Sequence, residues 1–226
     1  EITFTGGVIN TSNVNLLVAK NGVVSVGGNT ASFVNGPHRK IGNNAFTFHV
    51  GKIVGSEYQY RKIGISAPDN HNDAFTAEFQ RANARLLGEP ASPLQRVSQC
   101  EYWSLNHTNQ GAETTVNVTI SWTEQSPCNV AYVTNLPTLA VAKLNGAVWN
   151  SLGNAATSGS ASNGTITSTN ATDVVSNFFT LASTDVSQNP LPFSLSSFTA
   201  RPRKTDIAID WMLTNNNDYD EFTLER

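Results

Sequence analysis

The sequence predicts an all-β fold, an antiparallel β-sandwich of jelly-roll type, and three observations support it. Apolar residues alternate with polar ones over short stretches, as from Val116 to Trp122, which is the pattern of a half-buried strand. Glycines and Asn-Gly pairs interrupt these stretches at short intervals. Charged residues make up only 14% of the chain. Ser, Thr, Asn and Gly take their place, as is typical of extracellular β proteins.

Composition also limits the classes of partner. The chain has 226 residues and a formal net charge of -3, so it has no basic surplus to neutralise phosphates, and we expect no nucleic-acid partner. No apolar run reaches about 18 residues, so we expect no membrane span. The chain begins at Glu1 and its single Met is Met212. We therefore interpret it as a processed product or a piece of a longer protein.

Residues 1–36 form the first predicted unit. Its short apolar stretches are separated by Gly6-Gly7, Asn21-Gly22 and Gly27-Gly28. This pattern suits either a series of hairpins or the end coil of a β-solenoid. Because one or two coils cannot bury their own faces, a solenoid here would need further coils.

Residues 37–188 form the predicted main sandwich domain. The alternation over residues 75–79 favours a strand over the helix that residues 74–87 would otherwise allow. Residues 86–93 contain two prolines, so we expect an extended crossover there rather than a central strand. Asn145-Gly146 predicts a tight hairpin turn.

The centre of this domain is predicted to be a hairpin bracketed by the only two cysteines. One strand is expected over residues 102–105 and the other over residues 116–122. We predict a disulfide between Cys100 and Cys128, which would contribute roughly 3–4 kcal/mol to stability. The alternative is a pair of separate buried thiols, the common case in the cytosol.

Residues 189–226 are predicted to be a linker followed by the first strands of an immunoglobulin-like domain. The prolines in Asn189-Pro190-Leu191-Pro192 stiffen the linker. Strand patterns follow around Leu195, Ile207 and Phe222. Because such a sandwich needs about seven strands, we expect either an incomplete domain or strands that complete a sheet of another subunit.

A set of motifs extends from residue 33 to the last residue. They are Phe33-Val34-Asn35-Gly36-Pro37, Phe46-Thr47-Phe48-His49-Val50-Gly51-Lys52, Arg61-Lys62-Ile63-Gly64-Ile65-Ser66, Cys100-Glu101-Tyr102-Trp103-Ser104-Leu105, Val118-Thr119-Ile120-Ser121-Trp122, Pro192-Phe193-Ser194-Leu195-Ser196-Ser197-Phe198-Thr199-Ala200, Ile209-Asp210-Trp211 and Asn217-Asp218-Tyr219-Asp220-Glu221-Phe222-Thr223-Leu224-Glu225-Arg226. As a set they resemble a β-rich module of large Bacteroidota surface proteins exported by the type IX secretion system. The closing motifs resemble the start of the fibronectin- or immunoglobulin-like domain that precedes the sorting region. His49 departs from the pattern, which has a proline at that position.

The resemblance implies an extracellular location, either at the bacterial outer surface or released. It implies a structural or adhesive module, in some relatives linked to gliding or filaments. The implied partners are neighbouring modules of the same long chain or like subunits, and the type IX secretion machinery through the region after residue 190. It brings no catalytic residue with it.

Two acidic groups are candidates for Ca²⁺, the one cofactor considered. Asp69 and Asp73 flank His71 in a polar loop, and Asp218, Asp220 and Glu221 form the densest acidic cluster. Calcium prefers several oxygen ligands. The alternative in both places is a solvated turn, which Asp and Asn favour on their own.

The histidines are His38, His49, His71 and His107. None is spaced for a metal site or a catalytic triad. We interpret all of them as solvated loop or strand residues.

Several aromatic and acidic residues are candidates for ligand-binding or catalytic groups. Trp103, Trp122 and Trp211 lie in apolar alternation and are predicted core residues, whereas Trp149 follows a turn and is the best candidate for an exposed sugar-stacking surface. Glu78 and Glu101 lie on strand-like segments, where a pairing with Arg61 or Arg81 is the expected role.

These observations favour a non-enzymatic extracellular structural or adhesive module. The alternative is a carbohydrate-binding module of a secreted protein that acts on polysaccharides, with surface glycan as its partner. An enzyme would need a deep pocket with convergent acids or an acid–histidine pair.

Overall fold

The computed structural model describes residues 1–108, 114–123, 132–174, 177–189, 195–203 and 206–213. Of the last two ranges, side chains are described for 199–202 and 207–210. The described residues confirm the all-β prediction. Their helical elements are two short 3₁₀ turns, Ala84–Leu87 and Leu136–Thr138, and no helix in this part of the chain has the length and hydrophobicity to cross a membrane.

The strands are short and numerous. The first eleven are β1 (Ile2–Thr3), β2 (Ile9–Asn10), β3 (Leu17–Ala19), β4 (Ser25–Val26), β5 (Val34–Asn35), β6 (His38–Ile41), β7 (Phe46–Phe48), β8 (Val50–Val54), β9 (Glu57–Tyr60), β10 (Ile63–Ile65) and β11 (Ala74–Gln80). The others are β12 (Glu89–Pro90), β13 (Arg96–Val97), β14 (Tyr102–Thr108), β15 (Val118–Thr123), β16 (Leu139–Asn145), β17 (Val148–Gly153), β18 (Ala156–Gly159), β19 (Asn163–Thr167), β20 (Asn177–Ser183), β21 (Leu195–Arg203) and β22 (Asp206–Leu213).

Two large sheets pack face to face. The five-stranded sheet has the order β18-β19-β15-β10-β7, and the nine-stranded sheet follows β12-β17-β16-β20-β14-β11-β6-β3 with β13 beside β20. Their facing side chains form one buried cluster that includes Ile63 and Ile120 from the first sheet and Trp103 and Phe79 from the second. Burial of each such side chain contributes about 1.5–3 kcal/mol. The sandwich architecture is therefore established by one continuous core.

The predicted central hairpin is wrong, although both of its strands exist. β14 pairs with β11 and β20, whereas β15 pairs with β10 and β19. The two strands therefore lie in opposite sheets. Alternation specifies only that one side of each strand is buried, and two strands that face each other across a core satisfy it as well as two neighbours.

The hairpin predicted at Asn145-Gly146 is confirmed. β16 and β17 pair antiparallel on either side of this turn. Gly146 has φ 62°, a conformation that favours glycine.

A second, smaller core covers part of the outer face of the nine-stranded sheet, over β16, β17 and β20. Its buried members include Ala84, Leu94, Val97 and Trp149. The segment from the first 3₁₀ turn through β13 supplies three of them, and β12 pairs parallel with β17 at the sheet edge. The predicted crossover over residues 86–93 thus contains β12, an edge strand of the sheet, and the buried residues before and after it pack on the sheet. We call residues 84–97 the crossover segment.

The strands within residues 1–54 form three sets of parallel neighbours, and we call this segment the strand stack. β1 pairs with β4, β2 with β5 and then β8, and β3 with β6, all in parallel. This pairing excludes the hairpin series considered for residues 1–36. Phe4, Ala19 and Val34 of the stack belong to the core of the sandwich, so the core continues across the predicted boundary at residue 36.

Asparagines bridge successive levels of the stack at its corners. The Asn35 Nδ2 donates to Asn10 Oδ1 at 2.9 Å. At another corner the Gly22 N–H donates to Asn44 Oδ1 at 2.8 Å. Asn21-Gly22 therefore forms a turn between β3 and β4. These two strands do not pair with each other as a hairpin, since β3 pairs with β6 and β4 with β1.

The C-terminal described strands, β21 and β22, form an antiparallel pair. Asn189, predicted to start the linker, is fully buried. Its side chain accepts from the N–H groups of Thr134 and Asn135 and donates to Thr138 Oγ1 at 2.7 Å. Asn189 therefore connects the end of the sandwich domain to residues 134–138 by hydrogen bonds.

Candidate functional site

The predicted calcium loop has its two carboxylates in different environments. Asp69 is exposed, whereas Asp73 is fully buried. The Asp73 Oδ1 lies 3.1 Å from His107 Nε2, and its Oδ2 accepts from the Asn70 N–H. Asp73 therefore serves as an internal anchor for its loop and for β14.

Asp218, Asp220 and Glu221 lie outside the described residues. Within the described ranges, no group of three or more His, Cys, Asp or Glu side chains is placed to hold a metal ion. Calcium binding at either acidic group stays a prediction.

Trp149 is not the exposed aromatic surface that the sequence suggested. Its side chain is fully buried in the smaller core, and its indole Nε1 donates to the Ala84 carbonyl oxygen at 2.9 Å. The neighbouring turn misled the prediction, because the crossover segment covers this side of β17. The core positions predicted for Trp103 and Trp122 are confirmed.

Cys100 is buried, and no described cysteine is a free thiol. It immediately precedes β14, and its backbone N–H donates to the Ser98 hydroxyl. Cys128 lies outside the described residues, so the bond between Cys100 and Cys128 stays a prediction.

Three of the four histidines are buried, which corrects the expectation of solvated residues. His38 lies between Phe4, Phe46 and Phe48, and neither of its ring nitrogens has a hydrogen-bond partner. Burial lowers the pKa of His38 to about 3, with His49 adding to the shift. His38 is therefore neutral at ordinary pH and serves as a packing residue.

His49 connects the strand stack to β9. Its ring is stacked on Tyr60 and hydrogen-bonded to the Tyr60 hydroxyl, and its Nε2 lies 3.2 Å from the Ser25 carbonyl oxygen. Burial lowers the pKa of His49, and the nearby cation Lys62 lowers it further against the effect of Ser25. Among the described residues, neither His38 nor His49 forms an ion pair with an acid.

Glu101 pairs with Arg61 as predicted. The Arg61 Nε donates to Glu101 Oε2 at 2.7 Å, with both side chains fully buried. Burial raises the pKa of Glu101, and Arg61 opposes that shift. Glu78 instead accepts from Lys52 at 2.6 Å, and Arg81 pairs with Glu57. No sequence signal distinguished these partners, because they are far apart in the chain.

Three connected grooves run along the solvent-facing side of the segment that contains β9 and β10. The outer groove, about 930 Å³, is lined by Tyr58, Glu57 and Arg81 among others. The middle groove, about 600 Å³, and the inner groove, about 380 Å³, share Lys62 and Thr165 in their walls. The outer and middle grooves share Thr30. These surfaces were not predicted, because they combine residues from the strand stack and from both ends of the sandwich.

The middle and inner grooves together form a trough over the five-stranded sheet. Its floor is the outward side of β7, β10, β15 and β19: Thr47, Gly64, Thr119, Ser121, Thr165 and Thr167. These positions are neighbours by strand register, since Gly64 pairs with Thr47 and Thr119, and Thr119 pairs with Thr167. The strand stack forms one wall, and the hairpin of β18 and β19 forms the other. This arrangement offers hydroxyl groups to a polar ligand.

Comparisons with known proteins give no independent identification. No family model, no curated protein and no solved structure matches the chain.

Proposed function

We propose that the protein is a non-enzymatic structural or adhesive module of a secreted or surface-displayed bacterial protein. The joint between the strand stack and the sandwich is the observation that carries this proposal. β3 extends the nine-stranded sheet through β6, and Phe4 and Val34 pack into the sandwich core. Load passing along the chain would be borne by backbone hydrogen bonds and a shared core.

Finer aspects of the fold belong to the same proposal. Parallel pairing on three sides supports a solenoid-like end for residues 1–36. The mainly antiparallel pairing within the two large sheets supports a jelly-roll-like main domain. The pair of β21 and β22 supports the start of an immunoglobulin- or fibronectin-like domain after residue 189.

The proposed partners are neighbouring modules or like subunits, joined at the first level of the stack. Among the described residues, β1, β2 and β3 each pair on one side only. Ile9, Val18 and Val24 near this end are large apolar side chains that are exposed. Open strand edges pair readily with additional strands. Light scattering during size-exclusion chromatography would test association of the isolated chain, and a monomer at every concentration would contradict like subunits as partners.

The mechanical role is tested by pulling the chain from its two ends in a force-spectroscopy experiment. We expect residues 1–189 to unfold in one event, because stack and sandwich share one core. A separate unravelling of residues 1–36 at lower force would contradict the proposal.

Export is tested in a bacterium that has the type IX secretion system. The parent protein should reach the cell surface or the medium when intact, and remain inside the cell when the region after residue 190 is deleted. Normal export of the deletion variant would contradict a role of this region in secretion.

A further inference from the structure

The trough over the five-stranded sheet is a polar surface that contains one positively charged side chain. Among the described residues, Lys62 is the single charged residue in the walls of the middle and the inner groove. It takes part in no ion pair within the described part of the chain. A lysine placed among neutral hydroxyl groups favours a ligand that brings its own negative charge.

Lys62 is held at the junction of the two grooves by its backbone. Its carbonyl oxygen accepts from Ser121 Oγ at 3.0 Å. Ser121 lies on β15 and also lines the trough. The backbone position of Lys62 is therefore set by the sheet, and its ammonium group forms no ion pair with a described residue.

The trough also contains a polar group without a partner. Ser25 is 8% exposed and lines the inner groove. Its buried hydroxyl has no hydrogen-bond partner in the structure. Buried polar groups are normally satisfied by protein or water. Because the Ser25 hydroxyl oxygen is buried, it belongs to the polar wall of the groove, and a ligand in the groove does not contact it directly.

One extended segment connects the trough with the outer groove. Tyr58, Tyr60, Lys62, Gly64 and Ser66 are alternate residues of this segment, and each lines at least one groove. Tyr58 is 48% exposed and offers an aromatic surface at the outer end. From Tyr58 to Ser66 the segment spans at most roughly 26 Å, which suits an elongated ligand.

We propose that the trough binds an acidic oligosaccharide, a chain of sugars that carries carboxylate groups. Lys62 Nζ receives a carboxylate, the hydroxyl groups of the floor bond to sugar hydroxyls, and Tyr58 stacks on a sugar ring at the outer end. The site lies on the opposite side of the sandwich from Trp149. It does not depend on the mechanical role, since a groove ligand and a load-bearing joint use different residues.

The test is calorimetric titration of the full chain with oligogalacturonate and with a neutral oligosaccharide of equal length. We expect binding of the acidic chain that weakens with added salt, and at least about tenfold weaker binding of the neutral one. Lys62→Gln should weaken binding of the acidic chain by about tenfold. The matched control is Lys20→Gln, at an exposed position that lines none of the three grooves, and it should bind as the parent does.

A second pair of variants tests the floor of the trough. A Cβ at Gly64 would lie 3.5 Å from the Phe46 carbonyl oxygen and 3.6 Å from Thr119 Cβ, which are ordinary van der Waals contacts. Gly64→Val should fold normally, fill the floor and reduce binding several-fold. At Gly6 nothing lies within 4 Å of an added Cβ, and Gly6→Val should leave binding unchanged.

Three results would overturn the proposal. They are no binding of oligogalacturonate by the parent chain, equal binding of the acidic and neutral chains, or unchanged binding after Lys62→Gln. Thermal unfolding of each variant shows whether it is folded. The force experiment above is read out separately, so failure of the ligand site and failure of the mechanical role are distinguishable.

Discussion

The two outer faces of the sandwich differ in the residues that alternate with the core. On the nine-stranded sheet, the outward positions of β16 and β20 include Ala140, Ala142 and Ala182, all buried beneath the crossover segment. On the five-stranded sheet, the outward positions of β15 and β19 include Thr119 and Thr165, which are only partly buried. Both faces follow the same period of two, and they differ in whether another element covers them.

The difference teaches how to interpret outward residues of a strand. Small apolar residues leave room for a covering layer, here one that contains Trp149, whereas hydroxyl residues bond to each other across the strands. The Thr119 and Thr167 hydroxyls lie 2.8 Å apart. A covered face contributes to stability through burial, and an open hydroxyl face leaves its chemistry available to a ligand.

The largest expected effect is on the covered face. Trp149→Ala should lower the free energy of unfolding by about 3–5 kcal/mol, because it empties the centre of the smaller core. Urea denaturation measures this loss. Tyr58→Ala, at a half-exposed aromatic beside the outer groove, is the control and should cost less. Equal losses for the two variants would show that the crossover segment does not form a core over β17.

The next effect concerns the connection between the two sheets. Cys100 precedes β14 in one sheet, and Cys128 follows β15 of the other sheet in the sequence. A bond between them would stabilise the sandwich by roughly 3–4 kcal/mol. Reduction should therefore increase the intact mass by two hydrogens and lower the midpoint of unfolding. An unchanged mass after reduction would mean that the two thiols are not joined.

A smaller effect depends on pH and comes from the interior between the faces. His38 has a pKa of about 3 when folded and about 6.5 when unfolded. The contribution of the neutral His38 to the free energy of unfolding is therefore fully present above pH 6.5. It is lost as the pH drops from 6.5 toward 3, since over this range only the unfolded chain takes up the proton. His38 accounts for a loss of about 2 kcal/mol between pH 7.5 and pH 5.

Urea denaturation of His38→Phe at these two pH values checks this contribution. The variant should show a smaller loss than the parent chain, while His71→Gln, at an exposed position, should lose as much as the parent. An identical loss in His38→Phe would mean that His38 is not the group responsible.

Sequence alone predicted where the strands of this fold lie better than it predicted which elements pack against them. Alternation correctly placed the strands around Phe79 and Trp122, because it records which side of a strand is buried. It assigned β14 and β15 to one hairpin, because it does not record which sheet a strand joins. It also predicted Trp149 to be exposed, because nothing near that residue shows that a segment some sixty residues earlier covers it.

The trough was beyond prediction for the same reason. Lys62, Ser25 and Thr165 come from three separate parts of the chain, and only the register of the strands brings them together. By contrast, an arginine partner for Glu101 was predicted correctly, because a buried carboxylate needs a partner of opposite charge. The same prediction was wrong for Glu78, which pairs with Lys52.

The smallest expected effect compares the same chemical change on the two faces. Thr180 on the covered face is fully buried, and its hydroxyl donates to the Glu101 carbonyl oxygen at 2.7 Å. Thr180→Val should cost about 1–3 kcal/mol, because it leaves a buried acceptor without its donor. Thr119→Val on the open face should cost less than about 1 kcal/mol, since water can reach the Thr167 hydroxyl that loses its partner. Urea denaturation of both variants measures the difference, and equal costs would mean that the two faces are equally sheltered from solvent.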